Sequence, residues 1–258
     1  MLGIKNTPRL PARQQGLPQA YARAASEVIT ETLWPTRCAL CDVPGSLLCD
    51  ACKRRLGFVD FWRACPVCGA PHGSVQCSEC NPIALKSLGR ARLPFAACVC
   101  ATEFSPDVAR LVTTYKDRGE VRLGALIAGL MAQVVPPLWP GQIDALSVIP
   151  ASARALRRRG FDHAQLLGDA LAATLGLPLV NAFERPRSKD QRALNKGARA
   201  ANMEGRFVLR ACERDHLPAS ILLVDDVFTT GATLCAATDA LLAAGVQEVR
   251  CATFARVW

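Results

Sequence analysis

The chain has 258 residues, half of them apolar, which is enough for one full α/β domain and a smaller module. Its 31 lysines and arginines against 22 acidic residues give a formal net charge of +9, which suits an anionic partner such as a phosphorylated small molecule or a nucleic acid. No apolar run approaches the length of a membrane span, and residues 1–19 lack the hydrophobic centre of a signal peptide. We therefore expect no membrane span and a cytoplasmic location.

The N-terminal residues separate into two predicted segments. Residues 1–17 are rich in Pro, Gln, Arg and Gly, which predicts a disordered extension. Residues 18–34 place apolar residues at helical spacing and predict a short amphipathic helix.

Cysteines dominate the next part of the chain. Eight of the 13 cysteines form four Cys-x-x-Cys pairs, and two such turns complete one closed tetrahedral zinc site. The pattern predicts a small double zinc ribbon module over residues 35–85, with a cross-braced arrangement as the alternative to pairing in chain order. In chain order, one zinc ion is bound by Cys38, Cys41, Cys49 and Cys52, and the other by Cys65, Cys68, Cys77 and Cys80. The other cysteines stand among apolar residues and are predicted to lie in the core: Cys98, Cys100, Cys212, Cys235 and Cys251.

Basic and aromatic residues accompany the zinc ribbons. They are Arg37, Lys53, Arg54, Arg55 and Arg63, with Phe58, Phe61 and Trp62 among them. Such residues suit phosphates and stacked bases of a nucleic acid. The favoured interpretation is different: the three aromatic rings form the small core between the two ribbons.

The remainder of the chain, residues 92–258, is predicted to form a second domain in which helices and strands alternate. Such alternation predicts an α/β fold with a mostly parallel, twisted sheet covered on both faces. Helices are predicted at 107–115, 121–135, 163–175 and 232–244, and strands at 145–149, 179–180, 221–224 and 248–255.

The segment ILLVDDVFTTGAT, residues 221–233, carries the clearest site. Its continuous apolar run predicts a buried parallel strand. Asp225 and Asp226 follow at the carboxyl end, where α/β sheets bind ligands and where adjacent carboxylates can accept hydrogen bonds from a sugar diol. The loop then opens a helix whose free N–H groups favour a phosphate; it consists of Thr229, Thr230, Gly231, Ala232 and Thr233.

An acidic pair of the receiver type, which binds Mg²⁺ and is phosphorylated on a further Asp, is the main alternative. That arrangement needs the pair early in its domain, whereas this pair precedes the last predicted strand. A buried strand followed by a polar turn is the plainer alternative. The strand, loop and helix context favours a phosphate-binding loop.

Three further basic segments are candidates for the same site. Lys116 lies in TYKDRGE at the end of a predicted helix, where a simple helix terminus with favourable charge is the alternative. Arg154, Arg158 and Arg159 lie in a predicted basic loop after the strand at 145–149, where a solvated charge run is the alternative. Residues 185–206 are long, basic and weakly apolar, which predicts either a lid, which would carry Lys189 and Arg192, or a disordered segment.

The segment 221–233 resembles the phosphoribosyl diphosphate (PRPP) signature of type I phosphoribosyltransferases. The whole chain from about residue 30 onward resembles the ComF/GntX-type proteins, which join an N-terminal double zinc ribbon to a phosphoribosyltransferase-type domain. The resemblance rests on ETLWPTRCALC, CPVCG, YKDRGE, RRRGFDHAQLL, QRALNKGARAAN and VDDVFTTGATL. In one departure, Asp162 and His163 stand where the family commonly has Asn-Gln.

The resemblance implies roles for the candidate residues. Asp225 and Asp226 would hold the ribose hydroxyls and residues 229–233 the 5-phosphate, with Mg²⁺ as the accompanying ion and Lys116 and Arg154 among the PRPP ligands. The catalytic residues would be the acidic pair together with Arg158 and Arg159. The two arginines would neutralise the charge of the departing diphosphate.

Two classes of function follow from the resemblance. One is a phosphoribosyltransferase, for which the sequence identifies no acceptor. The other is a single-stranded-DNA-binding factor of DNA uptake or competence that uses PRPP as an effector and works with competence or DNA-processing proteins. A zinc module that docks a partner protein is a third.

Overall fold

The structure is a computed structural model that describes residues 35–137, 139–186, 207–214 and 216–258. The predicted extension 1–17, the predicted helix 18–34 and the predicted lid residues Lys189 and Arg192 lie outside the described residues. The chain divides into two compact units, Met1–Cys49 and Asp50–Trp258.

The described part of the first unit is a small turn structure. Arg37 and Pro44 form an antiparallel bridge, and the amide of Gly45 donates to the carbonyl of Thr36 at 2.8 Å. Within the turn, the amide of Cys38 donates to the carbonyl of Val43 at 2.9 Å. These backbone bonds present Cys38 and Cys41 on one knuckle.

The second unit contains a sheet and the helices around it. Its strands are β1 (Ala97–Glu103), β2 (Ala145–Val148), β3 (Ser220–Phe228) and β4 (Glu248–Arg256). Its helices are α1 (Asp50–Arg55), α2 (Pro82–Lys86), α3 (Pro106–Lys116), α4 (Leu123–Ala132), α5 (Ala153–Arg159), α6 (His163–Leu175), α7 (Ala211–Arg214) and α8 (Ala232–Ala243), with a 3₁₀ turn at Pro140–Gln142. Among the helices in the described ranges, none is both long and apolar enough to cross a bilayer.

The sheet is parallel, as predicted, with spatial order β1-β4-β3-β2. Strand β1 was absent from the sequence prediction. Strand β3 is longer than the predicted 221–224, because its ladder with β4 continues to the pair Phe228 and Arg256. The predicted strand at 179–180 is a single bridge from Leu179 to Leu146 at the edge of β2.

The two faces of the sheet have different covers. On one face, α8 and the second cysteine segment, residues 65–80, share a core with strand side chains such as Cys98, Leu223 and Cys251. Elsewhere, α4 packs against α6, and α6 packs against β2 and β3. Of the five cysteines predicted to lie in the core, four are buried, and Cys212 is exposed, so that prediction was wrong at Cys212.

The predicted basic loop after β2 is in fact helical. The side chain of Ser152 accepts a hydrogen bond from the amide of Ala155, which caps the start of α5, and Gly160 ends the helix with φ +77°. Cap signals on both sides of a short run of alanine and arginine favour a helix. Arg154, Arg158 and Arg159 are therefore helical residues.

Candidate functional site

The predicted acidic pair and the predicted loop lie at the carboxyl edge of the sheet. Strand β2 ends at Val148, which pairs with Val224 of β3, so Asp225 and Asp226 lie beside the end of β2. In open α/β sheets this edge binds ligands. This edge is therefore where a ligand is expected, although the cavity between the ends of β2 and β3 has a volume of only about 10 Å³.

The loop from β3 to α8 combines a required glycine with an uncapped helix. Gly231 has φ +79°, and a Cβ there would lie 2.7 Å from Cζ of Phe228. Helices α3, α5 and α6 each begin with a side chain that caps a backbone amide, whereas α8, whose N-cap is Gly231, has no such side chain, and neither does α4. A contact of 3.4 Å from the amide of Ala232 to Oγ1 of Thr230 is long for a hydrogen bond. The first amides of α8 are thus suited to an anion.

The acidic pair has an unusual electrostatic environment. Asp226 forms an ion pair with Lys116, the last residue of α3, and both side chains are largely buried. Oδ1 of Asp225 accepts a hydrogen bond from the amide of Asp226 at 2.9 Å. Burial, together with the neighbouring charge of Asp226, raises the pKa of Asp225 to about 7, although the Lys116 ammonium lowers it. One of the two carboxyl groups therefore titrates near neutral pH.

His163, the first residue of α6, supports the pair from the other side. Its Nε2 lies 3.6 Å from Oδ2 of Asp226, and its Nδ1 lies 3.2 Å from an amino group of Arg159. The hydroxyl of Tyr115 donates to the carbonyl of His163 at 2.5 Å, which joins α3 to α6. Burial and the Lys116 charge lower the pKa of His163 to about 4, so its ring is neutral at pH 7.

The arginines of α5 differ from one another in position. Arg158 and Arg159 both donate to Oδ1 of Asp117, at 3.2 and 3.1 Å. Partial burial raises the pKa of Asp117. The hydrogen bond from Arg159 and the charge of Arg158 outweigh this effect and hold the pKa of Asp117 below its ordinary value. Arg154 lies exposed in the first turn of α5. The structure thus brings Arg159 to Asp226 through His163, whereas Arg158 remains at the rim.

Asp162 and His163 are residues for which the sequence predicts no role. Asp162 caps α6 through the amide of Gln165 and pairs with Arg185 at 2.5 Å, while His163 reaches the acidic pair. The signal that pointed to them was their departure from Asn-Gln, but it did not indicate their contacts. Those contacts depend on α3 and β3, which are distant in sequence.

The eight cysteines of the Cys-x-x-Cys pairs come together in the two groups predicted in chain order. Within each group the sulfur atoms lie within 4.8 Å of one another: Cys38, Cys41, Cys49 and Cys52 form the first group, and Cys65, Cys68, Cys77 and Cys80 the second. Tetrahedral zinc with bonds of about 2.3 Å requires sulfur separations of about 3.8 Å. Observed separations of 3.5 Å for Cys68 and Cys77 and 3.6 Å for Cys65 and Cys80 are close to this value. The groups are compatible with a double zinc ribbon.

The ionisation of the thiols in the second group is also consistent with a bound cation. The hydrogen bond from Cys68 lowers the pKa of Cys65 to about 4, and the pKa of Cys68 is raised in return. Four crowded thiols cannot all ionise beside one another unless a positive charge lies among them. The donor set therefore fits Zn²⁺.

The favoured interpretation of the aromatic residues as a core between the ribbons was wrong. Phe58 and Phe61 are 40% and 46% exposed, and Trp62 is 84% exposed. Phe61 and Trp62 contact each other edge to face with ring centroids 5.3 Å apart. Lys53, Arg54 and Arg63 are exposed in the same stretch of chain. We refer to residues 53–63 as the basic aromatic segment.

The chain is similar in sequence to a known domain family and to several known proteins. Residues 166–257 match the family model described as phosphoribosyl transferase domain. The chain is 28% identical over 235 residues to the DNA utilization protein YhgH of Salmonella typhi, across 84% of this chain and 95% of that protein. It is 24% identical over 203 residues to competence protein ComFC of Bacillus subtilis (strain 168), across 78% and 80%. The crystal structure of orotate phosphoribosyltransferase from Aeropyrum pernix aligns with 60% of this chain and 79% of that one, with a TM-score of 0.32 and 15% identity.

Proposed function

We propose that this chain, which is a homologue of the ComFC and YhgH proteins over most of its length and carries a phosphoribosyl transferase domain, binds PRPP together with Mg²⁺. The observation that carries the proposal is that two binding features, an acidic pair and the free amides at the start of a helix, follow one another along β3 and the loop after it. The largely buried acidic pair lies in β3 just past the end of its pairing with β2, and an uncapped helix with a required glycine follows the end of β3. A sugar diol and a 5-phosphate need those two sites side by side.

In this proposal Asp225 and Asp226 accept hydrogen bonds from the ribose hydroxyls, and the amides of Gly231–Thr233 bind the 5-phosphate. The carboxylate of Asp226 already interacts with Lys116, so the diol shares it with that ammonium. Mg²⁺ bound with PRPP would supply positive charge to the diphosphate oxygens, which are the hard ligands it prefers. Arg159 of α5 contacts His163, which lies beside Asp226, and this supports a role for Arg159 near a diphosphate bound next to the acidic pair.

Turnover is the finer part of the proposal. In phosphoribosyl transfer the bond from the anomeric carbon to the diphosphate oxygen breaks, the electron pair leaves with the diphosphate, and a nucleophile bonds to that carbon. Arg159 would stabilise the departing diphosphate if the anion competes for it with Asp117. A screen of nucleobases for diphosphate release from PRPP tests whether an acceptor exists.

Calorimetric titration with Mg²⁺ and PRPP tests binding directly. Replacing both carboxylates, Asp225→Asn with Asp226→Asn, should abolish the heat of binding. Asp169→Asn is the matched control, because Asp169 is an exposed residue of α6 outside the site. Since an ionised Asp225 is the better acceptor, wild-type affinity should rise as the pH increases through about 7. Unchanged titration of the double variant would contradict the proposal.

We also propose that each group of four cysteines binds one structural zinc ion. The support is the sulfur geometry of the two groups. Metal analysis of protein purified without chelator should give about two zinc ions per chain. A value near zero would contradict this assignment.

Binding of single-stranded DNA is a second candidate function, favoured by the basic aromatic segment. Exposed aromatic rings beside exposed basic residues can stack on bases and contact phosphates. Trp62→Ala should weaken binding of a labelled oligothymidine in fluorescence anisotropy by about ten-fold. Ile83→Ala is a control of matched exposure, since Ile83 is 85% exposed on α2. Affinity that does not fall with added salt would exclude this mode of binding.

A further inference from the structure

Arg256, the last residue of β4, is a buried cation that the proposed PRPP site does not use. It is 2% exposed, and its guanidinium lies 3.8 Å from the centre of the Phe228 ring. One of its amino groups donates to the carbonyl of Thr229 at 2.8 Å and to the carbonyl of Val257 at 2.7 Å. We refer to Thr229–Thr233, the loop proposed to bind the 5-phosphate, as the phosphate loop. Arg256 therefore holds Thr229, the first residue of the phosphate loop, by its backbone carbonyl.

Arg256 also fixes the loop at its glycine. Gly231 packs so closely on the Phe228 ring that a Cβ there would lie 2.7 Å from Cζ. Arg256 covers the same ring, and the edge of Phe95 meets it with centroids 6.4 Å apart. The carbonyl of Thr229 and the ring under Gly231 are thus both held by one side chain.

A buried guanidinium requires a nearby negative charge. Among the residues that the structure describes, Glu79 provides this charge. Its Oε2 lies 3.5 Å from the second amino group of Arg256. Glu79 lies between Cys77 and Cys80 of the second cysteine group, and its own amide donates to Sγ of Cys77 at 3.4 Å. The position of the carboxylate is therefore set by the cysteine group.

The second cysteine group is itself fixed against the sheet. Gly69, which follows Cys68, has φ +68°, and a Cβ there would lie 2.8 Å from the carbonyl oxygen of Cys98. Nearer the loop, a cavity of about 230 Å³ lies among Cys68, Glu79, Arg256, Thr229 and Thr230. At this cavity the ion pair of Arg256 and Glu79 joins the loop side to the cysteine group, in addition to the shared core.

We propose that Arg256 is a positioning residue for the phosphate loop and that Glu79 makes its position depend on the second cysteine group. The proposal rests on the proposed function, since it takes the loop to bind the 5-phosphate of PRPP. Removing the metal from that group would then weaken phosphate binding, although none of its ligands contacts the phosphate.

The test measures the dissociation constant for ribose 5-phosphate by calorimetry, because this compound carries the 5-phosphate without the diphosphate. Glu79→Gln removes the charge and retains the shape, and Arg256→Lys retains the charge but lacks the planar donor set that reaches both carbonyls and Glu79. Each variant should bind about ten-fold more weakly, as when one hydrogen-bond donor is misplaced. The double variant should bind no more weakly than Arg256→Lys, because the two residues act through one contact.

Arg250→Lys is the matched control. Arg250 lies on the same strand, but it bonds Gln142 and Glu248 at the other end of β4. The affinity of the Arg250→Lys variant for ribose 5-phosphate should stay within about two-fold of the wild-type affinity. The zinc content should be equal in all variants.

The outcomes separate this inference from the function on which it rests. If wild type binds ribose 5-phosphate and Arg256→Lys with full zinc content binds equally well, the inference is overturned and the proposed function stands. If wild type binds PRPP with Mg²⁺ but not ribose 5-phosphate, the inference alone is overturned. If wild type binds neither compound, both are overturned. If Arg256→Lys fails to fold, Glu79→Gln decides: unchanged affinity overturns the inference and weaker affinity with full zinc content supports it.

Discussion

The loop at residues 229–233 and the acidic pair are neighbours in the chain, yet they are built in different ways. Most features of the loop arise locally: Gly231 turns the backbone, Phe228 packs under it, and α8 begins without a capping side chain. The acidic pair takes its properties from other elements, because Lys116 comes from α3 and His163 from α6. Backbone geometry therefore determines most of the loop, which Arg256 then holds in place, whereas side chains that are distant in sequence determine the charge of the pair.

This difference indicates how each half should respond to substitution. A change in the loop should act on folding and on phosphate binding together. A change around the pair should act through charge, and its effect should depend on pH and on burial. The following variants test whether the two halves behave in these separate ways.

Gly231→Ala should have the largest effect. A residue with a side chain at φ +79° is strained, and its Cβ would also collide with the Phe228 ring at 2.7 Å. We expect a loss of about 3 kcal/mol or more in the free energy of unfolding, measured with urea, and loss of ribose 5-phosphate binding.

Gly245→Ala is the control for that variant. Gly245 has φ +98°, but a Cβ there would meet no heavy atom within 4 Å. It should cost only the backbone strain, about 1–2 kcal/mol. Equal losses for the two variants would show that the ring contact does not shape the loop.

Lys116→Met should have the next largest effect, because it leaves Asp226 buried without its cation. Breaking a largely buried ion pair by removing one partner costs about 3 kcal/mol, so the free energy of unfolding at pH 7.5 should fall by that amount. Adding Asp226→Asn to Lys116→Met should restore part of the loss, since the stranded charge is then removed.

Arg122→Met provides the comparison on an exposed pair. Arg122 pairs with Glu120 at 2.8 Å, and half of its side chain is exposed. Its loss should cost less than about 1 kcal/mol. A cost for Lys116→Met no greater than that of Arg122→Met would contradict the burial argument.

The same contrast explains what the sequence could predict. The parallel sheet, the cysteine groups and the Thr229–Thr233 loop follow from patterns of neighbouring residues, and the structure has the sheet and both cysteine groups. Strand β1 was missed because its ACVCATE sequence mixes small and polar residues, whose burial depends on pairing with β4. The contacts of His163 and Arg256 could not be predicted either, since each joins elements that only the folded chain brings together.

The pH dependence of stability should show the influence of His163 on the acidic pair. The pKa of His163 is lowered to about 4 in the folded protein, whereas an unfolded histidine titrates near 6.5. Between these values the unfolded chain binds more protons, so stability should fall as the pH decreases from about 6.5 towards 4. Burial is the main cause of this lowered pKa; the charges of Lys116 and Arg159 lower the pKa of His163 further, and those of Asp226 and Asp162 raise it.

His163→Gln should remove this slope. When the pH is lowered from 6.5 to 4.5, the free energy of unfolding should fall by about 2 kcal/mol less in the variant than in wild type. Asp225 contributes in the opposite sense, because its raised pKa makes the folded protein bind more protons below about 7, and it is present in both proteins. The difference between the two pH curves therefore isolates His163, and parallel curves would show that its ring titrates normally.

Arg158→Ala should have the smallest effect, although Arg158 donates to the same carboxylate oxygen as Arg159. Its side chain is 67% exposed, against 12% for Arg159, so water screens its charge and the loss should be about 0.5 kcal/mol. High salt should remove even this difference, whereas the cost of Arg159→Ala should persist because Arg159 also contacts His163. If Arg158→Ala instead lowered the free energy of unfolding in urea as much as Lys116→Met, the exposure of a charged side chain would not predict its contribution to stability around the pair. In that case the rim arginine, rather than the buried ion pair, would set the charge that a diphosphate meets.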